Sequence, residues 1–169
     1  MRGTILIDVE NCMRCKRCMI ACAVEHSESK TLLGAIEEAE SGREIKPRIT
    51  IGVFGGIGIP IQCRHCENAQ CAVVCPTGAI ERLGKAGPVV VHPELCIGCR
   101  SCQVVCHFGV PQFTTTGQVF KCDMCIERLD EDREPACVEA CPTGSLRFVP
   151  YEEELEKKAA RSILGGLRT

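Results

Sequence analysis

All sixteen cysteines of this 169-residue chain fall into four groups of four, and none is left over for a separate thiol function. The first group reads CMRCKRCMIAC, with Cys12, Cys15, Cys18 and Cys22 at gaps of two, two and three residues. The third, CIGCRSCQVVC, repeats those gaps at Cys96, Cys99, Cys102 and Cys106. The second, CRHCENAQCAVVC, lengthens the middle gap to four and holds Cys63, Cys66, Cys71 and Cys75. The last is split between CDMC, with Cys122 and Cys125, and CVEAC, with Cys137 and Cys141. A fold built on this chain must be organised around whatever these sulfurs hold.

Two residues between cysteines let a short loop turn three thiolates onto three corners of one cubane, while the loop amides donate to its sulfides. The fourth cysteine, three residues further and expected on a starting helix, faces a neighbouring cluster, so each quartet serves two clusters. Sixteen ligands then supply four [4Fe-4S] clusters. Paired CxxC units also hold tetrahedral zinc, but zinc knuckles do not place a third cysteine inside a CxxCxxCxxxC run. Disulfide frameworks belong to short secreted chains, and the sequence before the first apolar stretch does not read as a secretory signal. His26, His65, His92 and His107 are read as hydrogen-bonded polar side chains rather than ligands. His107 follows Cys106 where Pro76 and Pro142 follow Cys75 and Cys141, a position suited to donating to a cluster sulfur.

Between Cys75 and Cys96, Ala79 and Ile80 precede a Gly-rich turn and Val89 to Val91 follow it, which predicts a β-hairpin. A quartet ending CPTGAI, a hairpin and another quartet closely resemble an entire bacterial two-cluster ferredoxin. By elimination, quartets one and four form a second module. The alternating stretches Thr4 to Val9 and Ser145 to Val149 are expected to pair as its opening and closing strands. The expected ligand sets are Cys12, Cys15, Cys18 and Cys141 for cluster 1, and Cys22, Cys122, Cys125 and Cys137 for cluster 2. Cluster 3 takes Cys63, Cys66, Cys71 and Cys106, and cluster 4 takes Cys75, Cys96, Cys99 and Cys102. A sequential pairing, one with two and three with four, remains open; it would have to span residues 23–62.

The expected architecture is therefore α+β: two pseudo-symmetric 2[4Fe-4S] modules, one nested inside the other, with a C-terminal helix. Residues 1–22 and 107–149 make the outer module, 23–62 a connecting insertion, 63–106 the inner module and 150–169 a helical tail. In that tail Leu155, Ala159 and Ile163 recur at four-residue steps. The chain has no Trp, one Tyr and five Phe, so the clusters must supply much of the interior and the apoprotein is expected to be largely unfolded.

The formal charge of −2 counts the cysteines as neutral; four thiolate-bound cubanes take the holoprotein to about −10 before any reduction. Arg14, Lys16 and Arg17 in the first quartet, with Arg64, Arg100, Lys121 and Arg128 near the others, offset this or lie as ordinary solvated surface. The first trio makes its cluster the candidate for easiest reduction. The longest charge-free apolar run, Ile51 to Ile61, is shorter than the roughly 18 residues that cross a membrane; it reads as a docking segment or an extended core strand. Residues 35–46 are charged and read as a surface insertion, followed by an edge strand in PRITIGVF. No twin-arginine signal, nucleotide loop or basic aromatic face is seen, so the expectation is a cytoplasmic protein of anaerobic metabolism with no nucleic-acid partner and no direct membrane span.

From residues 4 to 149, the four quartets in order, the split last one, CPTGAI and PACVEACPTGS resemble the four-cluster electron-transfer subunits of multisubunit oxidoreductases, the dimethyl sulfoxide reductase B-subunit type. The resemblance implies a line of cubanes held in the nested pairing, which relays single electrons and performs no catalysis. ACAVEHSESK at 21–30 and the later GAI are similar to small soluble members serving tungsten-dependent aldehyde oxidoreductases or benzoyl-CoA reductases, or carbon monoxide dehydrogenases. The implied partners are a catalytic subunit with tungsten or molybdenum, or a nickel-iron enzyme, and a flavoprotein, ferredoxin or hydrogenase as second redox partner. The wire-like layout also leaves room for several copies to stack.

Overall fold

The computed structural model describes residues 2–84 and 86–151. Within them the fold is α+β and built of small parts: four two-stranded antiparallel sheets and six helices of four to nine residues. Four cysteine loops leave little uninterrupted chain for longer elements.

Strands β1 (Gly3–Ile7) and β8 (Leu146–Pro150) pair across the whole fold, Thr4 opposite Val149 and Ile7 opposite Leu146. The two alternating end segments thus meet as expected. The pair approaches too closely for a side chain at Gly3, whose Cβ would stand 2.4 Å from the Val149 carbonyl oxygen. Ile5 and Leu146 point inward and join Ile49, Met124, Leu129 and Val138 in one core, together with Cys18, Cys22 and Cys137. Helices α1 (Arg17–Glu25) and α6 (Ala136–Glu139) pack on each other beside this sheet.

The expected hairpin between quartets two and three is present as β4 (Ile80–Arg82) and β5 (Val89–Val91). Ile80 and Val89 form a second core with Ala69, Cys102 and Val119. Val119 belongs to a further hairpin, β6 (Gln112–Phe113) with β7 (Val119–Phe120). This stretch, expected with the outer module, packs in the second core, where the apolar Val119 and Phe113 join Ile80 and Val89.

The charged stretch 35–46, expected as a surface insertion, is largely exposed and lies partly in a helix. That helix, α2 (Leu32–Glu40), is opened by Thr31, whose hydroxyl accepts from the Gly34 N–H at 3.2 Å. Glu38 accepts from the N–H groups of Glu28 and Ser29, at 3.0 and 2.8 Å, and so ties the loop after α1 to α2. The run from Ile51 to Ile61 is not one extended strand: β2 (Thr50–Phe54) turns back through Gly55 and Gly56, both at positive φ, into β3 (Ile57–Ile61). Val53, Phe54 and Ile57 at its tip are exposed. The short helices α3 (Gln70–Val73), α4 (Ser101–Val104) and α5 (Ile126–Asp130) complete the fold. The helix expected over 152–167 lies outside the described residues.

Candidate metal centres

Each quartet opens with the same backbone turn. The residue just before the second cysteine is Arg14, His65, Gly98 or Met124, and all four have positive φ, between 45° and 69°. In quartets one and three the residue after that cysteine, Lys16 or Arg100, is also left-handed. Non-glycine residues held this way cost of order 1–3 kcal/mol each and persist where the surroundings fix them. The gain is a concave run of N–H groups suited to anions and to cluster sulfurs. His65 N–H lies 3.4 Å from Cys63 Sγ and Met124 N–H 3.4 Å from Cys122 Sγ.

The third cysteine of each quartet sits in a helix: Cys18 in α1, Cys71 in α3, Cys102 in α4 and Cys137 in α6. The fourth, expected on a starting helix, instead follows the end of a one-turn helix at Cys75, Cys106 and Cys141, and only Cys22 lies within one. A single turn is long enough to carry the chain from one cavity to the next.

The sulfurs gather in groups of four. Cys12, Cys15, Cys18 and Cys141 line one cavity, capped by Ile51 and Pro60 of the β2–β3 hairpin. Cys63, Cys66, Cys71 and Cys106 line a second, with Phe108, His107 and Lys121. A third is lined by Cys75, Cys96, Cys99 and Cys102, against Ile80, Phe113 and Val119. Cys22, Cys122, Cys125 and Cys137 are all buried, and the charges of Cys122, Cys125 and Cys22 act on Cys137. Neighbouring groups touch electrostatically: Cys18 acts on Cys137, Cys63 on Cys122 and Cys71 on Cys102.

Burial pushes the Cys18 and Cys102 thiols up to about 11 and Cys125 to about 12, and raises Cys122 and Cys137 as well. Protein alone therefore disfavours these thiolates. A cationic metal reverses that balance, since a coordinated thiol is deprotonated outright. Cavities that each gather four sulfurs, with largely apolar walls and loop amides near the sulfurs, fit iron-sulfur cubanes.

Several partners of the sulfurs show their role only through distance. Thr77 and Thr143 hydroxyls stand 3.7 and 3.8 Å from Cys75 and Cys141, two residues after each in the repeated CPTG. Burial alone would raise those two thiols, and hydrogen bonds from these threonines and nearby N–H groups lower them instead. Arg48 donates its N–H to Cys22 Sγ at 3.2 Å and pairs its guanidinium with Asp123. His26 bridges the Cys22 carbonyl, at 2.7 Å, and Asp123, at 3.1 Å. Burial opposes a charged His26 ring, but Asp123 and Cys22 outweigh it and raise the ring to about 9.

The basic residues near the quartets divide differently from a uniform solvated set. Arg64 stacks over Phe108 and Arg100 over Phe113, at 5.8 and 5.3 Å. Arg128 pairs with Glu25 and Glu139, and Lys121 is buried. Among the described residues no hydrogen bond joins His107 to a cysteine sulfur; His26 contacts one instead, at 3.7 Å from Cys22.

A 4Fe-4S dicluster domain model matches residues 56–150, and a 4Fe-4S binding domain model matches residues 9–25. The B subunit of the anaerobic dimethyl sulfoxide reductase of Escherichia coli strain K12 is 38% identical over 156 residues, covering 90% of this chain and 75% of that one. The chain belongs to the 4Fe-4S dicluster family. As a member of it, this is an electron-transfer iron-sulfur subunit of the dimethyl sulfoxide reductase type. An iron-sulfur protein of Rhodospirillum rubrum is 35% identical over 175 residues, with 94% of this chain and 90% of that one covered. Among solved structures, the BamBC complex of benzoyl coenzyme A reductase aligns over 95% of this chain and 89% of its own at 21% identity and a TM-score of 0.45. Among the described residues no helix is long and apolar enough to cross a membrane.

Proposed function

We propose that this dicluster-family subunit is a non-catalytic relay with four [4Fe-4S] clusters, passing single electrons between the catalytic subunit of an oxidoreductase and a second redox partner. Cys12, Cys15, Cys18 and Cys141 hold the first cluster, and Cys22, Cys122, Cys125 and Cys137 the second. Cys63, Cys66, Cys71 and Cys106 hold the third, and Cys75, Cys96, Cys99 and Cys102 the fourth. The observation that carries this reading is the cavity shared by Cys12, Cys15, Cys18 and Cys141, whose ligands come from the two ends of the chain. Sequential pairing of quartets gives no role to that convergence. An outer module made from both chain ends thus encloses an inner one of 63–106, which also collects the β6–β7 hairpin.

Each bound cubane supplies a one-electron couple whose potential answers to local charge, hydrogen bonds and exposure. The chain's own residues do the rest. Loop amides and the Thr77 and Thr143 hydroxyls stabilise thiolate charge, apolar walls exclude water, and the buried second set keeps its sulfurs from solvent. Cys15, Cys66 and Cys99 are exposed and give partners close approach to the first, third and fourth sets. Substrate chemistry falls to the partner's cofactor.

The relatives named as B subunits of dimethyl sulfoxide reductases support a catalytic partner subunit. Within that class we assign a tungsten enzyme of the aldehyde oxidoreductase or benzoyl-CoA reductase type, supported by the 21–30 stretch, and a cytoplasmic setting. A carbon monoxide dehydrogenase or hydrogenase is the competing partner. Purifying the native complex anaerobically and identifying the metal of its large subunit decides between them. In the isolated chain, about sixteen irons and four one-electron couples are expected; zinc, or fewer than four couples, overturns the relay. Cys12→Ser and Cys141→Ser must perturb the same couple; if Cys12→Ser and Cys75→Ser do so instead, the pairing is sequential.

A further inference from the structure

Lys121 is 2% exposed, directly precedes Cys122 and lies where the two halves of the fold meet. Its Nζ donates to the Cys122 carbonyl at 3.1 Å, to the Val89 carbonyl, and to Cys63 Sγ at 3.6 Å. Three acceptors and no donor around one amine match the three N–H bonds of an ammonium, because a neutral amine would need a donor for its lone pair. Yet among the described residues no carboxylate lies within ion-pairing distance of this nitrogen. A lysine this buried is almost never left unpaired, since an uncompensated charge in a low-dielectric interior is strongly disfavoured.

The missing counter-charge lies on both sides of it. Lys121 lines the cavity of Cys63, Cys66, Cys71 and Cys106, and its charge acts on Cys71. Through the peptide of Cys122 it borders the buried set of Cys22, Cys122, Cys125 and Cys137, and Cys63 and Cys122 are electrostatic neighbours. Gln62, itself 2% exposed, stands at the same junction with Oε1 4.0 Å from Cys137 Sγ.

We propose that Lys121 is the shared counter-ion of the second and third cluster sites and raises the reduction potential of both. The inference rests on the ligand sets proposed above. Reduction adds one negative charge to a site, and a fixed cation against the thiolates favours the more negative state. Acting on two sites at once, one ammonium shifts both potentials in the same direction at the crossing between the outer and inner modules. Lys121 is thus a positioning residue for charge, not a ligand.

The test is anaerobic redox titration of wild type, Lys121→Gln and Lys121→Arg, followed by electron paramagnetic resonance, with iron counted in each. In Lys121→Gln the one-electron reduction of two of the four clusters should become at least tenfold less favourable, about 60 mV, with the other two unmoved and iron at about sixteen. Lys121→Arg should retain wild-type potentials. If Lys121→Gln instead loses two clusters while Lys121→Arg keeps all four, the counter-ion role also stands. Unchanged potentials in a fully loaded Lys121→Gln protein, or equal cluster loss in both variants, overturns it. Fewer than four clusters in wild type would instead sink the underlying ligand assignment.

Discussion

Arg128 and Glu25 stand 103 positions apart and form an ion pair, Nη1 to Oε2 at 2.8 Å, with side chains only 7% and 14% exposed. Arg128 also donates to the Glu134 carbonyl at 2.7 Å and to the Glu139 carboxylate. It ties α1, which carries Cys18 and Cys22, to the segment that carries Cys122 to Cys141. Arg128→Met takes from the largely buried Glu25 its nearer partner and leaves it only Lys30 Nζ at 3.8 Å, a loss toward the lower end of the about 3–5 kcal/mol that breaking a buried pair costs. The guanidinium concentration that bleaches the cluster absorbance under anaerobic conditions should fall markedly. Arg133→Met, which breaks an exposed pair with Glu131, should leave that midpoint close to wild type.

Gly58 sits where β3 crosses the first cysteine loop. A Cβ there would meet Arg14 Cγ at 2.4 Å and Cys12 Sγ at 3.2 Å. The arginine carbon can swing away, but a sulfur held by iron cannot. Gly58→Ala should therefore lift the hairpin from the cavity of Cys12, Cys15, Cys18 and Cys141, at about 1–3 kcal/mol. One cluster of four is expected to be lost faster than the rest on exposure to air, followed by its paramagnetic signal.

The two CPTG threonines act on different sets. Thr143→Val removes the hydroxyl near Cys141, and Thr77→Val the one near Cys75. Hydrogen bonds to a cluster sulfur favour its reduced state, so each variant should lower one potential, and not the same one. A three- to tenfold change in the one-electron equilibrium, about 30–60 mV, is expected in each. Redox titration of the double variant should show both shifts undiminished, since the cavities are separate.

Removing iron should remove the fold. Among the described residues the two cores hold only nine and five buried side chains, and cysteines are three of the first and one of the second. Chelation under reducing conditions should abolish cooperative thermal unfolding by circular dichroism. A native-like melt in the iron-free chain would mean that the cores suffice without metal.

What residues alone reveal is what depends on short range. Cysteine spacing reports loop geometry directly, and alternation in Thr4 to Val9 and in Ser145 to Val149 reports strands with one inward face. Their pairing follows from the assignment of the flanking quartets to one module. Helix α2 is hidden because Glu37, Glu38 and Glu40 make its stretch look like solvated surface, although Thr31 caps it and Ala35 is buried. The β2–β3 turn is legible only as two glycines inside an apolar run. Lys121 reads as one cation among seven, because a sequence gives a side chain's charge but not its burial. Thr77 and Thr143 have a visible signal, the repeated CPTG, whose meaning requires the distance to sulfur.

The pairing of β1 with β8 also orders events during synthesis. When the first three cysteines leave the ribosome, Cys141 and the strand that completes their half of the protein have not yet been translated. The inner segment, from Cys63 to Cys106, is whole much earlier. Maturation should thus run from the middle of the Cys12 to Cys141 stretch outward, with the machinery that delivers iron and sulfide having to guard Cys12, Cys15 and Cys18 until Cys141 has been made.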